Sequence, residues 1–145
     1  MRIPEMVQKK VEAVNRRDAA AFAATYAPNA VAVDPFYDDP LRGEAIRKDI
    51  AAWFGALSDA VCRVTHGVID GASHAGEWVV TGHTGGPLIG PDGEIPATGR
   101  SLNFRVATFE RSDGDGRILE EHRYYGGLAI MRQPGLMAQE HASAG

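Results

Sequence analysis

The hydrophobic pattern changes character near Asp59, and that change limits the folds open to this chain. Up to Leu57 the apolar side chains recur at helical spacing apart from one short strand, and beyond Asp59 they alternate. Ile3, Met6, Val7, Val11 and Val14 form one stripe, with Glu5, Gln8, Lys9 and Glu12 on the other side, which predicts an amphipathic helix. Asn15 to Arg17 end it. Asp18 is placed to cap a second helix, "AAAFAATYA", with Phe22 and Tyr26 four apart on one face. Pro28 and Asn29 break that helix, and "AVAVD" reads as a short strand closed by Pro35. Gly43 precedes a third helix, on which Ile46, Ile50, Trp53, Phe54 and Leu57 keep the period.

The second half reads as strands. "AVCRVTHGVI", "AGEWVVTGHT", "RSLNFRVATFER" and "RILEEHRYYGG" are separated by the turn signals "DGAS" and "SDGDG" and by a long Gly/Pro loop, "GGPLIGPDGEIPATG", read as a lid or rim. Helices first and hairpin-connected strands afterwards is the order of an α+β fold. The expected architecture is a cone: a curved antiparallel sheet with three N-terminal helices on one face and room inside for a small molecule.

Length and charge narrow the function. The 145 residues fit one domain, placed at 1–136, with 137–145 expected to be a flexible tail. A formal net charge of −4 with scattered Lys and Arg argues against a nucleic-acid partner. No run reaches membrane-spanning length, and the charged N-terminus does not fit a signal peptide. The single cysteine, Cys62, forms no internal disulfide, so a cytoplasmic location is the default expectation. None of the histidines stands at a metal-binding spacing, and "GGPLIGPDG" lacks the Lys-Ser/Thr of a phosphate loop. No metal and no cofactor are expected.

The stretch "NAVAVDPFYDDPLRG" carries the main chemical candidate. Asp34 ends an apolar strand beside Phe36, a setting in which a carboxylate is expected to serve as a general base. The plain alternative is an aspartate that caps the turn at Pro35. Asp38 and Asp39 are read as solvent-facing. Along "SLNFRVATFER" one face carries Leu102, Phe104, Val106 and Thr108, the other Asn103, Arg105, Ala107 and Phe109. With the second set lining the cone, Arg105 projects inward, paired with Asp34 or Glu121 or awaiting an anionic or carbonyl-bearing ligand. One of Tyr124 and Tyr125 points inward to donate to a substrate oxygen. Tyr26, Phe36, Trp53, Phe54, His83, Asn103 and His122 complete the expected substrate-binding wall. Leu102, Phe104 and Val106, on the opposite face, would then lie bare and predict a homodimer packed sheet against sheet.

The ordered set "VNRRDAAAFAATYAPNAVAVDPF", "RGEAIR", "WVVTGHTGGPLIG", "IPATGRSLNF", "GRILEEHRYY" and "RQPGL" resembles the SnoaL-like proteins of the nuclear-transport-factor-2-like superfamily, which includes polyketide cyclases and ketosteroid isomerase. The resemblance implies the SnoaL-like, cystatin-like α+β barrel and matches Asp34 to the isomerase's proton-moving base. The isomerase's other two groups, a first-helix tyrosine and a strand aspartate, fall near Lys10 and Arg105, so steroid isomerisation itself is not implied. The cyclase carboxylate after the aromatic pair is replaced by Gly126, and Asp34 with Arg105 does not reproduce the Asp-Arg-Asp spacing of the epoxide hydrolases. The resulting expectation is a cofactor-independent isomerase or cyclase for a small apolar organic substrate, polyketide-, terpenoid- or steroid-like, with Asp34, Arg105 and Tyr124 or Tyr125 as its catalytic groups. A non-catalytic binding module of the same fold is the alternative.

Overall fold

The computed structural model describes residues 3–90 and 93–133, so the tail expected at 137–145 lies outside the described residues. The first helix, α1 (Glu5–Arg16), buries Met6, Val7, Ala13 and Val14, as its stripe predicts. The second, α2 (Ala19–Ala23), starts where the Asp18 side chain accepts from the Ala21 N–H. It is shorter than its sequence suggests. Tyr26 opens a strand, β1 (Tyr26–Val33), yet still meets Phe22 with ring centroids 5.6 Å apart. A two-residue strand, β2 (Leu41–Arg42), precedes α3 (Glu44–Ala56), which buries Ile46, Asp49 and Ala56.

Six strands make the main sheet, with β3 (Val61–Asp70), β4 (Ser73–His83), β7 (Ser101–Ser112) and β8 (Ile118–Tyr124) joining the first two in the order β2-β1-β8-β7-β4-β3. The sheet is antiparallel except where β1 runs parallel to β8. The Gly/Pro segment is not all loop: β5 (Leu88–Gly90) and β6 (Gly93–Ile95) pair as a separate small hairpin. A short helix, α4 (Gly127–Arg132), follows the last strand and was not foreseen by the pattern. It lies close to Phe36: a Cβ at Gly127 would sit 2.9 Å from the Phe36 ring, so the approach depends on glycine there.

One cluster of buried side chains joins α1, α2 and α3 to the sheet through Val7, Phe22, Ile46, Ala32, Trp78 and Ile118. A second, around Leu57, Leu102 and Ile130, closes the other end. The Asn15 side chain fastens α1 to β3 by exchanging hydrogen bonds with the Cys62 backbone at 2.8 and 3.1 Å. No helix among the described residues is long and apolar enough to cross a membrane.

The faces of β7 are the reverse of those expected. Leu102, Phe104, Val106, Thr108 and Glu110 turn inward, whereas Asn103, Arg105 and Phe109 are exposed. Alternation sorts a strand's residues into two sets but does not say which set is buried. Here the more apolar set covers the core, as hydrophobic burial favours. The apolar face that suggested a dimer is therefore already covered within one chain.

Candidate active site

Strand register brings the inward side chains of three neighbouring strands into rungs. His74, Glu110 and Glu121 share one rung across β4, β7 and β8, and Gly76, Thr108 and Arg123 share the next. Trp78 and Val106 follow one rung further. Above this wall is a cavity of about 120 Å³, close to the size that holds one benzene ring. Most of its lining is apolar, including Ile50, Trp53, Phe104 and Val106, while Asp34, Asp49, Arg123 and Tyr125 form a polar group on its wall.

Arg123 organises that group. Its Nη1 donates to Asp34 Oδ2 at 3.0 Å and to Asp49 Oδ2 at 2.8 Å, so one nitrogen bridges two carboxylates. Its Nε donates to Glu121 Oε1 at 2.5 Å, which fixes the plane of the guanidinium. Glu121 also accepts from the Tyr26 hydroxyl at 2.7 Å and from Lys10 Nζ at 2.6 Å. Asp34 Oδ1 accepts from the Tyr125 hydroxyl at 2.5 Å and from the Phe36 N–H at 2.9 Å. Asp49 Oδ1 accepts from the Tyr37 hydroxyl at 2.9 Å.

Burial and charge set different tasks for these groups. Burial pushes the Asp49 carboxyl above its ordinary range; Arg123 pulls the other way, and Asp34 adds to the rise. For Glu121, burial is outweighed by Lys10 and Arg123, which hold the carboxyl well below the usual range. Burial raises the Tyr125 phenol, and the neighbouring Asp34 raises it further, so it stays a donor. Cys62 is buried and its thiol is pushed up to about 12, which makes it inert.

The structure brings some of the expected residues together and separates others. Asp34 is buried at 3 % exposure, with Tyr125, Trp53 and Phe54 around the same cavity. Phe36 stands behind the wall, stacked on Trp53 at 6.0 Å and edge-on to Tyr125 at 5.2 Å. Tyr26 supports Glu121 from behind. Arg105 is exposed on the opposite face of the sheet, and Arg123 occupies the place expected for it. Asn103 is exposed on that same face and uses its backbone N–H to reach Gln133. Tyr124 points outward at 57 % exposure, packed edge-on against Phe109. His83 is exposed and bonded to Asp59, and His122 lies outside the cavity with Glu120.

The profile of the SnoaL-like domain matches residues 7–121, more than half of the chain. The chain belongs to the SnoaL-like domain family. Among curated proteins no sequence matches significantly. Solved structures agree on the fold of this SnoaL-like protein. A candidate SnoaL-like polyketide cyclase from Jannaschia is 19% identical with a TM-score of 0.76, covering 95% of this chain and 99% of that one. IdmH, a candidate polyketide cyclase from Streptomyces antibioticus, is 22% identical with a TM-score of 0.74, covering 90% and 96%. SalBIII, an epoxide hydrolase/cyclase-like enzyme of pyran-ring formation in the polyether salinomycin, is 19% identical with a TM-score of 0.68, covering 86% and 91%.

Asp49 and Arg123 complete the polar group on the cavity wall, and sequence reasoning missed both. Each left a signal. Asp49 follows Ile46 by three positions and precedes Trp53 by four, which puts an acid on the apolar stripe of its helix. Arg123 shares strand parity with Glu121 and Tyr125, the two residues that flank it on the inner face.

Proposed function

We propose that this SnoaL-like protein is a cofactor-independent isomerase or cyclase that works by acid–base catalysis on a small, mostly apolar substrate. The observation that supports this most is Arg123 bridging Asp34 and Asp49 on the wall of an apolar cavity. Two carboxyl groups sharing one cation, with one of them raised by burial, form an acid next to a base. Asp34 takes a proton from the attacking hydroxyl or the acidic carbon. Asp49 delivers a proton to the oxygen that gains electrons. Arg123 stabilises the charge that develops between them and supplies the Asp-Arg-Asp arrangement that Arg105 could not. The Tyr125 hydroxyl orients Asp34, and Trp53, Phe54 and Phe104 hold the reacting part in a productive shape.

The small cavity encloses the reacting end of a polyketide-, terpenoid- or steroid-like molecule rather than its whole length. Isomerisation and cyclisation conserve mass, whereas hydrolysis adds one water. Incubation with a panel of hydroxy-epoxides and polyketide-like enones, followed by mass spectrometry and chromatography, should reveal an isomer of unchanged mass. Binding of panel members with no product of any mass would favour a non-catalytic binding module. One feature favours that alternative: Asp34 already accepts three hydrogen bonds.

We further propose a homodimer through the outer face of the sheet. Val68, Ala75, Phe109 and His122 lie in one row across β3, β4, β7 and β8, with Val68 at 68 % and Phe109 at 57 % exposure. Such a row on one sheet face meets its own copy well across a two-fold axis.

A further inference from the structure

The buried charges continue past the cavity wall. Lys10 reaches from α1 to Glu121 and, at 3.0 Å, to Glu110. Lys10 and Glu121 line the cavity; Glu110 does not. Four buried carboxyl groups, Asp34, Asp49, Glu110 and Glu121, thus share two cations, Lys10 and Arg123. Unbalanced charge in a desolvated cluster is costly, so neutrality is reached by retaining about two protons.

The hydrogen bonds say where those protons stay. Glu121 accepts from Lys10, Tyr26 and Arg123 and remains ionised between its two cations. Glu110 has a single side-chain donor, Lys10, among the described residues. One excess proton therefore belongs to Asp49, whose carboxyl burial raises, and the other to Glu110.

We propose that Glu110 is a positioning residue for the acid–base pair, holding the cluster's second proton and setting, through Lys10, Glu121 and Arg123, the charge felt at Asp49. The inference rests on reading Asp34 and Asp49 as that pair. Among the described residues, four titratable groups surround Glu110: Lys10 from α1, Tyr26 from β1, His74 from β4 and Glu121 from β8. Burial, with Lys10 nearby, lowers the His74 pKa and disfavours its charged form, and among the described residues neither ring nitrogen has a hydrogen-bond partner. Burial, opposed by Lys10 and reinforced by Glu121, carries the Glu110 carboxyl up to about 7. When Glu110 ionises, it competes with Glu121 for Lys10. Glu121 then leans more on Arg123, and Asp49 loses part of the positive charge that favours its ionised form.

Carbon-13 detection of the carboxyl resonances of the whole protein tests this. In the wild type the Asp49 signal should show a second inflection at the Glu110 midpoint, near neutral pH. In Glu110→Gln that inflection should vanish while the main step remains. A purely structural Glu110 would alter stability and leave the Asp49 curve with a single step. A single-step wild-type curve, or a second inflection that survives Glu110→Gln, overturns the proposal. If the variant does not fold, the wild-type curve still decides, because an ordinary midpoint at Glu110 itself overturns it as well. An ordinary midpoint at Asp49 would instead overturn the acid–base reading, so the two failures are distinguishable.

Discussion

The Tyr125 hydroxyl donates to Asp34 Oδ1 across 2.5 Å, from the segment joining β8 to α4 to the corner that ends β1. Ninety-one positions separate the two residues in the chain. The bond ties the end of the sheet to the candidate base, and the edge-on contacts of Tyr125 with Phe36 and Trp53 keep the ring in place. Tyr125→Phe keeps those packing contacts and removes one of three bonds to a buried carboxylate. It should cost about 1.5–3 kcal/mol by urea denaturation at neutral pH. An unchanged midpoint would mean that this contact contributes nothing to stability.

Two arginines offer an internal comparison. Arg123→Met strands Asp34, Asp49 and part of Glu121 inside the protein and should destabilise it by roughly 3–5 kcal/mol. Arg105→Met changes an exposed residue and should stay within about 0.5 kcal/mol of the wild type. Denaturant titration of both variants checks the assignment, and a reversed order would restore Arg105 to the interior.

His74 is buried with both ring nitrogens unpartnered among the described residues, and its ring lies against Gly76, where a Cβ would meet Cε1 at 3.0 Å. Its pKa is lowered by burial and then by Lys10, so below its ordinary value of 6.5 the unfolded chain binds the proton more readily than the folded one. Stability from this group is present above that value and is lost as pH falls through it toward the folded pKa. His74→Leu removes that dependence. Thermal melts should show the variant at least as stable as the wild type near pH 5.5, with a shallower acid limb. An unchanged acid limb would show that His74 does not drive it.

The outer face can be tested separately. Phe109→Glu places like charges near the middle of the proposed sheet-to-sheet contact and should give monomer where the wild type is a dimer. Light scattering at micromolar concentration distinguishes the two. A monomeric wild type would remove the dimer from the account.

Much of the frame was legible from periodicity. The α1 stripe, the Asp18 cap and the alternation of the long strands each follow from local spacing and reappear in the structure. The failures are non-local. Tyr26 sits in a helical pattern, but pairing of β1 with β8 draws it into a strand. The inner face of β7 depends on what packs against it, and reversing it moved Arg105 out and brought Glu110 in. Asp34 could be singled out because an aromatic neighbour follows it. Arg123 could not be tied to Asp49, because that pairing exists only once α3 lies across the sheet. Buried charges on apolar stripes, such as Lys10, Asp49 and Glu121, were the readable signal for the site.

The claim that Asp34 and Asp49 act together as base and acid is tested most directly by comparing Asp34→Asn and Asp49→Asn with the wild type, on whichever panel substrate yields an isomer. Asparagine keeps the shape of each side chain while removing its ability to exchange a proton. Each variant should keep its native fold by circular dichroism and lower kcat by about a hundredfold or more, a typical contribution of one acid or base. The double variant should fall little further than either single one, because the two groups act as a unit. Turnover at the wild-type rate in either single variant would contradict the account.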